Sequence, residues 1–140
     1  MADEKKGKKK VLLVDDDPLF LRYLTRLFPR KEYEVLTVSS GEEALEQARR
    51  LRPDLVILDL DMPDPDGIET CKLLKAEEAT RQIAVIILTA MESLELNQMA
   101  FDAGAQAMVL KSMNRERLLN IVEVVIQSKS VADSAAVPEA

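Results

Sequence analysis

Two hydrophobic rhythms alternate along the chain: short dense apolar runs, and longer stretches in which apolar residues recur every three or four positions. Lys10-Val11-Leu12-Leu13-Val14 is of the first kind and is closed by Asp15-Asp16-Asp17. A run this short, rich in branched side chains and bounded by turn formers, predicts a strand buried on both faces. Tyr33 to Val38, Leu55 to Leu58, Ile83 to Leu88 and Ala107 to Leu110 predict four more strands. Between them the period becomes helical. Asp17-Pro18 is a helix start, with a capping carboxylate and a proline where the missing N–H does no harm. Phe20, Leu24, Leu27 and Phe28 then recur at helical spacing until Pro29. Ser40 with Glu43 forms a capping-box pattern ahead of Ala44, Leu45, Ala48 and Leu51. Asp66 with Glu69 opens a third helix, to about Glu78, and a fourth, over roughly Ser93 to Ala103, stops at Gly104. A fifth, about Asn114 to Ser128, has Leu118, Ile121, Val122 and Val125 on its inner face.

Five strands alternating with five helices predict an α/β fold with a parallel sheet covered on both faces. Right-handed crossovers and the doubly wound, flavodoxin-like strand order 2-1-3-4-5 bring four strand ends together at one edge. Strand 1 delivers Asp15 and Asp16 there, strand 3 Asp59, strand 4 Thr89 and strand 5 Lys111. Strand 2 ends in Ser39-Ser40 at the sheet's margin and contributes nothing. Open α/β sheets bind their ligands at this carboxyl edge.

Clustered carboxylates repel by about 1 to 4 kcal/mol per pair at ~4 Å for effective dielectrics of 80 to 20. A hard divalent cation relieves that repulsion, and Mg²⁺ (or Mn²⁺) held by one or two carboxylates and several waters suits this residue set. With a lysine ammonium and a threonine hydroxyl facing it, Asp59 is a candidate carboxylate nucleophile toward a phosphoryl group.

Composition narrows the alternatives. The chain has 140 residues, of which 47% are apolar and 31% charged, enough for one globular domain with its own core. The first ten residues carry five lysines, whereas the remainder has 14 bases against 23 acids. An acidic body argues against nucleic acid as a partner. The absence of histidine removes Ser-His and Cys-His catalysis and histidine metal sites. The single cysteine, Cys71, excludes an internal disulfide and suits a reducing cytoplasm. The apolar run Ile83 to Leu88 is far too short for a membrane span. The expected organisation is a basic flexible start (1–9), a domain (10–128) and a flexible tail (129–140). With no room for an output domain after Ser128, the chain is expected either to stand alone or to have been cut from a longer protein.

The ordered motif set resembles a response regulator receiver domain from about Lys10 to Ser128. Its pieces are Val-Leu-Leu-Val-Asp15-Asp16-Asp17-Pro, Pro-Asp-Leu-Val-Ile-Leu-Asp59 with Met62-Pro63 and Asp66-Gly67, Ile-Leu-Thr89-Ala90, Ala103-Gly104-Ala105, and Lys111. The resemblance implies Asp59 as phosphoacceptor and Asp15 and Asp16 as the acidic pair, with Asp16 favoured as the direct ligand. It further implies the Asp61 main-chain carbonyl as a third ligand, with Thr89 and Lys111 on the phosphoryl oxygens. The implied donor is the phosphohistidine of a sensor histidine kinase or phosphotransfer protein. The implied output is an unidentified downstream protein, reached through the face of the fourth helix, fifth strand and fifth helix. The resemblance implies a domain that assists its own phosphorylation and dephosphorylation and is not an enzyme on other substrates. Three positions depart from the family: Ser112 replaces the proline after the lysine, Met108 the usual aromatic, and Met113 a common phenylalanine. A receiver-like binding module that works without phosphorylation would tolerate these departures but leaves the acidic set without a purpose. A haloacid-dehalogenase-type phosphatase would use Asp59-Leu60-Asp61 on its first strand, and here that motif lies on the third.

Overall fold

The structure, a computed structural model, describes residues 7–136; the lysine-rich start at 1–6 and the end of the expected tail at 137–140 lie outside the described residues. The elements are β1 (Lys9–Val14), α1 (Pro18–Leu27), β2 (Tyr33–Val38), α2 (Gly41–Leu51), β3 (Leu55–Asp59), α3 (Gly67–Ala76), β4 (Ala84–Thr89), α4 (Leu94–Asp102), β5 (Ala107–Leu110) and α5 (Arg115–Ala136). The strands form one parallel sheet in the order β2-β1-β3-β4-β5. This is the predicted doubly wound α/β architecture.

Successive strand residues face opposite sides, so each central strand feeds two cores. Leu12, Val14, Val56, Leu58, Val85 and Ile87 pack with Ala44 and Ala48 of α2, Cys71 and Leu74 of α3 and Ala100 of α4. Val11, Leu13, Leu55, Ile57, Ile86 and Leu88 pack on the other side with Leu21 and Leu24 of α1 and Leu118, Val122 and Val125 of α5. Full burial of each large aliphatic side chain is worth about 1.5–3 kcal/mol, and this double layer is what fixes the sheet between the helices. Cys71 is buried within it and donates to the Ala103 carbonyl at 3.4 Å. Burial pushes that thiol up to about 11, leaving it protonated.

The caps form as the sequence signals them, with one variation. Asp17 accepts from Leu19 and Phe20 N–H with Pro18 at the first helical position, and Asp66 with Glu69 makes a reciprocal capping box. At α2, Ser40 Oγ accepts from Glu43 N–H, but Glu43 returns its carboxylate to the N–H of Ser39 instead of Ser40. The largest difference is at the C-terminus: α5 runs to Ala136, through residues 129–136 that the pattern assigns to a tail. No proline or glycine interrupts the chain there before Pro138, and its alanines favour continuation. β1 likewise begins at Lys9, inside the stretch expected to be a flexible start.

Gly67, the first residue of α3, sits against the backbone at the end of β3 and donates its N–H to the Leu60 carbonyl at 3.1 Å. A Cβ at this position would strike the Asp59 carbonyl oxygen and lie 2.8 Å from Leu60 Cα, contacts that rigid backbone cannot relieve. Gly67→Ala is therefore expected to lower stability by about 1–3 kcal/mol, read as a fall in the urea midpoint with unchanged slope.

Candidate functional site

Asp15, Asp16, Asp59, Thr89 and Lys111 all lie at the carboxyl edge of the sheet, carried there by β1, β3, β4 and β5. Asp15 and Asp59 are buried because each directly continues or ends an interior strand, whereas Asp16, one residue further along, is exposed. Asp15, Asp16 and Asp59 each present a carboxylate oxygen within 4.8 Å of the others. Asp15 is pinned by its Oδ1, which accepts from Asp17 N–H at 2.9 Å, so the acidic pair and the cap of α1 share one rigid turn. Asp61 is exposed in the following loop.

Lys111 is the counter-charge. Its Nζ donates to Asp15 Oδ2 at 2.9 Å and stands 3.1 Å from Asp59 Oδ1, an ion pair off the line of a good hydrogen bond. Asp59 Oδ1 is consequently a buried oxygen with no hydrogen-bond donor. The one cis peptide bond among the described residues precedes Pro65, so Lys111 is joined to Ser112 in trans and still reaches both acids. On its other side the ammonium lies 4.5 Å from the centroid of the Phe20 ring. Burial opposes the charge on Lys111, but the hydrogen bond to Asp15 and the negative charges of Asp15 and Asp59 beside it outweigh it and raise its pKa.

Burial pushes the Asp59 carboxyl up to about 6, with the Asp15 charge adding to the rise and Lys111 and a main-chain hydrogen bond at Asp61 opposing it. An orphaned oxygen on an acid that resists ionisation is what a cation would relieve, and the donors on offer are all hard oxygens. The three aspartates therefore fit a divalent cation. Thr89 is buried, but its hydroxyl is occupied: it donates to the Met91 carbonyl at 2.8 Å and accepts from Met91 N–H at 3.2 Å. Met108 is partly buried and packs against the core beneath α4. Of the apolar residues around α4, Met91, Leu94, Met99 and Phe101 are exposed and only Leu96 packs inward, with Ala100 supplying the buried face.

What the spacing of residues missed is the environment of Lys111. Phe20 reads from sequence as one more core position, yet it is only partly buried and turns toward the lysine; its place one turn into the helix that follows the aspartate triplet is the available signal.

Residues 11–123 match the family model of the response regulator receiver domain, and the chain belongs to that family. It is 31% identical over 115 residues to the polar-differentiation response regulator DivK of Brucella abortus, covering 82% of this chain and 94% of DivK. The alkaline phosphatase synthesis transcriptional regulatory protein PhoP of Bacillus subtilis is 32% identical over 124 residues, 89% of this chain but 51% of PhoP, so the chain spans only about half that relative. Among solved structures, the Vibrio cholerae chemotaxis protein CheY4 superposes with a TM-score of 0.79 at 31% identity, over 84% of this chain and 98% of CheY4. The chain is thus a receiver domain of the two-component type with an acidic pocket. No helix among the described residues is long and apolar enough to cross a membrane.

The raised pKa of Asp59 makes stability depend on pH. Because the folded value, about 6, lies above the ordinary 3.8, its contribution is fully present below about pH 4 and is lost as pH rises through about 6. Asp59→Asn is expected to raise Tm by about 3 °C or more near pH 7.5 in metal-free buffer. That gain shrinks toward pH 4, and paired thermal melts at the two pH values check it.

Proposed function

We propose that this receiver domain takes a phosphoryl group onto Asp59 and signals through protein contacts. The observation that supports it most directly is the pairing of a buried, donor-poor Asp59 oxygen with an ammonium 3.1 Å away, beside two further aspartates. Asp59 attacks phosphorus in line; the new O–P bond forms as the N–P bond of a donor phosphohistidine breaks, and the imidazole leaves with the electron pair. Above about pH 6 the carboxyl is ionised and competent to attack. Lys111 then pairs with a phosphoryl oxygen in place of Asp15.

Asp15, Asp16 and Asp59 would hold Mg²⁺ or Mn²⁺, with the Asp61 carbonyl as a fourth donor; when bound, such an ion neutralises phosphoryl charge and shields the approach of one anion to another. Thr89 can bond the phosphoryl group only by giving up Met91, so the β4–α4 turn changes as the phosphate arrives. The exposed Met91 of that turn, with the exposed Leu94, Met99 and Phe101 of the α4 that follows, suits an apolar partner surface. The donor in this reading is a sensor histidine kinase or phosphotransfer protein, and the recipient of the signal a downstream protein at α4, β5 and α5, without nucleic acid contact by this domain. A cytoplasmic address belongs to the same reading, in keeping with the free thiol of Cys71.

Incubation with Mg²⁺ and acetyl phosphate is expected to add one phosphoryl mass to the intact protein, labile to hydroxylamine and absent from Asp59→Asn. An unmodified wild-type chain at saturating donor would overturn the proposal.

A further inference from the structure

We propose that Phe20 is a positioning residue for the phosphoryl reaction: its ring is the shelf on which the Lys111 ammonium rests when the carboxylates are taken by a cation. The inference builds on the reading of Asp59 as phosphoacceptor and concerns a residue outside the acidic set.

The Lys111 ammonium lies 2.9 Å from Asp15, 3.1 Å from Asp59 and 4.5 Å from the Phe20 ring centroid. The two carboxylates are also ligands that fit a divalent cation. Once a doubly charged ion sits among them, their negative charge is shared with it and the ammonium is repelled by it. The ring offers something the cation does not compete for. Its face carries the negative lobe of the aromatic quadrupole, and 4.5 Å lies well within the ~6 Å over which an ammonium is attracted. A lysine stem has four rotatable methylene links, so a side chain released from both acids would otherwise spread over many rotamers.

The ring is itself well held. Pro18 and the Asp17 cap fix the first turn of α1, with Asp17 Oδ1 3.0 Å from Leu19 N and 3.4 Å from Phe20 N. Phe20 tilts against Tyr23 at 5.7 Å between centroids and packs on the core that includes Leu21 and Leu24. Asp15 accepts from Asp17 N–H, so the acidic pair, the cap and the ring belong to one short rigid segment. The lysine comes from the far side of the sheet, followed by Ser112 in a trans linkage. Its aim is therefore set by what it touches, and the ring is the neutral part of that surround.

The test compares wild type, Phe20→Leu and Phe20→Tyr in three measurements: the rate of phosphorylation by acetyl phosphate, Mg²⁺ affinity by calorimetry, and the NMR shifts of the Lys111 ε-methylene protons with and without Mg²⁺. Phe20→Leu, which keeps apolar bulk and loses the ring face, is expected to slow phosphorylation by about threefold to tenfold, with Mg²⁺ affinity changed by less than about twofold. Phe20→Tyr is expected to stay near wild type. The wild-type ε-methylene protons are expected upfield of ordinary lysine from the ring current, to stay there when Mg²⁺ is added, and to move back in Phe20→Leu. An undiminished rate in Phe20→Leu overturns the proposal. So does a parallel loss of rate and Mg²⁺ affinity that tyrosine fails to restore, which is the signature of a merely structural residue. If Phe20→Leu does not fold, ordinary Lys111 shifts in the wild type with Mg²⁺ overturn it and upfield shifts uphold it. If the wild type accepts no phosphoryl group, the phosphoacceptor reading falls, and the same shifts decide whether the ring holds the lysine.

Discussion

Two carboxylates, Asp15 and Asp59, are held at the ends of neighbouring strands β1 and β3, each almost fully buried, and the pocket follows from how that repulsion is contained. Neither can retreat into solvent, because each is continuous with a strand packed on both faces. Lys111 answers both at once, from β5 on the far side of β4. The compensation is incomplete, since one Asp59 oxygen has a charge beside it and no donor, and burial still holds that carboxyl near 6. The domain thus keeps an unresolved electrostatic demand at its edge, the condition that a divalent cation would relieve.

Neighbouring parts of the fold are shaped by the need to keep that edge rigid. Gly67 lets α3 start against the backbone of Asp59 and Leu60, which fixes the end of β3 without a side chain intervening. Asp15 also accepts from the N–H of Asp17, the cap of α1, so the acidic turn and the helix that follows move together. Opposite them the β4–α4 turn is closed by a local bond between Thr89 and Met91. Like the bond from Lys111 to Asp15, it is a hydrogen bond that a ligand in the pocket would compete for. The apolar residues exposed on α4, Leu94, Met99 and Phe101, begin a few positions beyond it.

Much of this was legible in the residues. The strands were visible because interior parallel strands must be apolar on both faces, and the helices because a single buried face imposes a 3.6-residue period. The topology was the doubly wound order expected of alternating strands and helices with right-handed crossovers, and the polar set followed from the fact that Asp59, Thr89 and Lys111 each close an apolar run. The extension of α5 through residues 129–136 was not legible, because these residues carry neither a breaker nor a periodic face. The surplus of apolar residues around α4 was legible, but not which of them face outward, since apolar character alone does not say which side of a thin helix the sheet will cover.

The sequence by itself therefore determined the order of elements and which residues reach the carboxyl edge, because both are consequences of local pattern and chain direction. Only the tertiary structure decided that Lys111 would bridge Asp15 as well as Asp59, that Thr89 would spend its hydroxyl on Met91, and that Phe20, while packing on the core, would also face an ammonium. Distances of a few ångströms between groups as many as 96 positions apart are set by how strands stack and where side chains find room, and no local period encodes them.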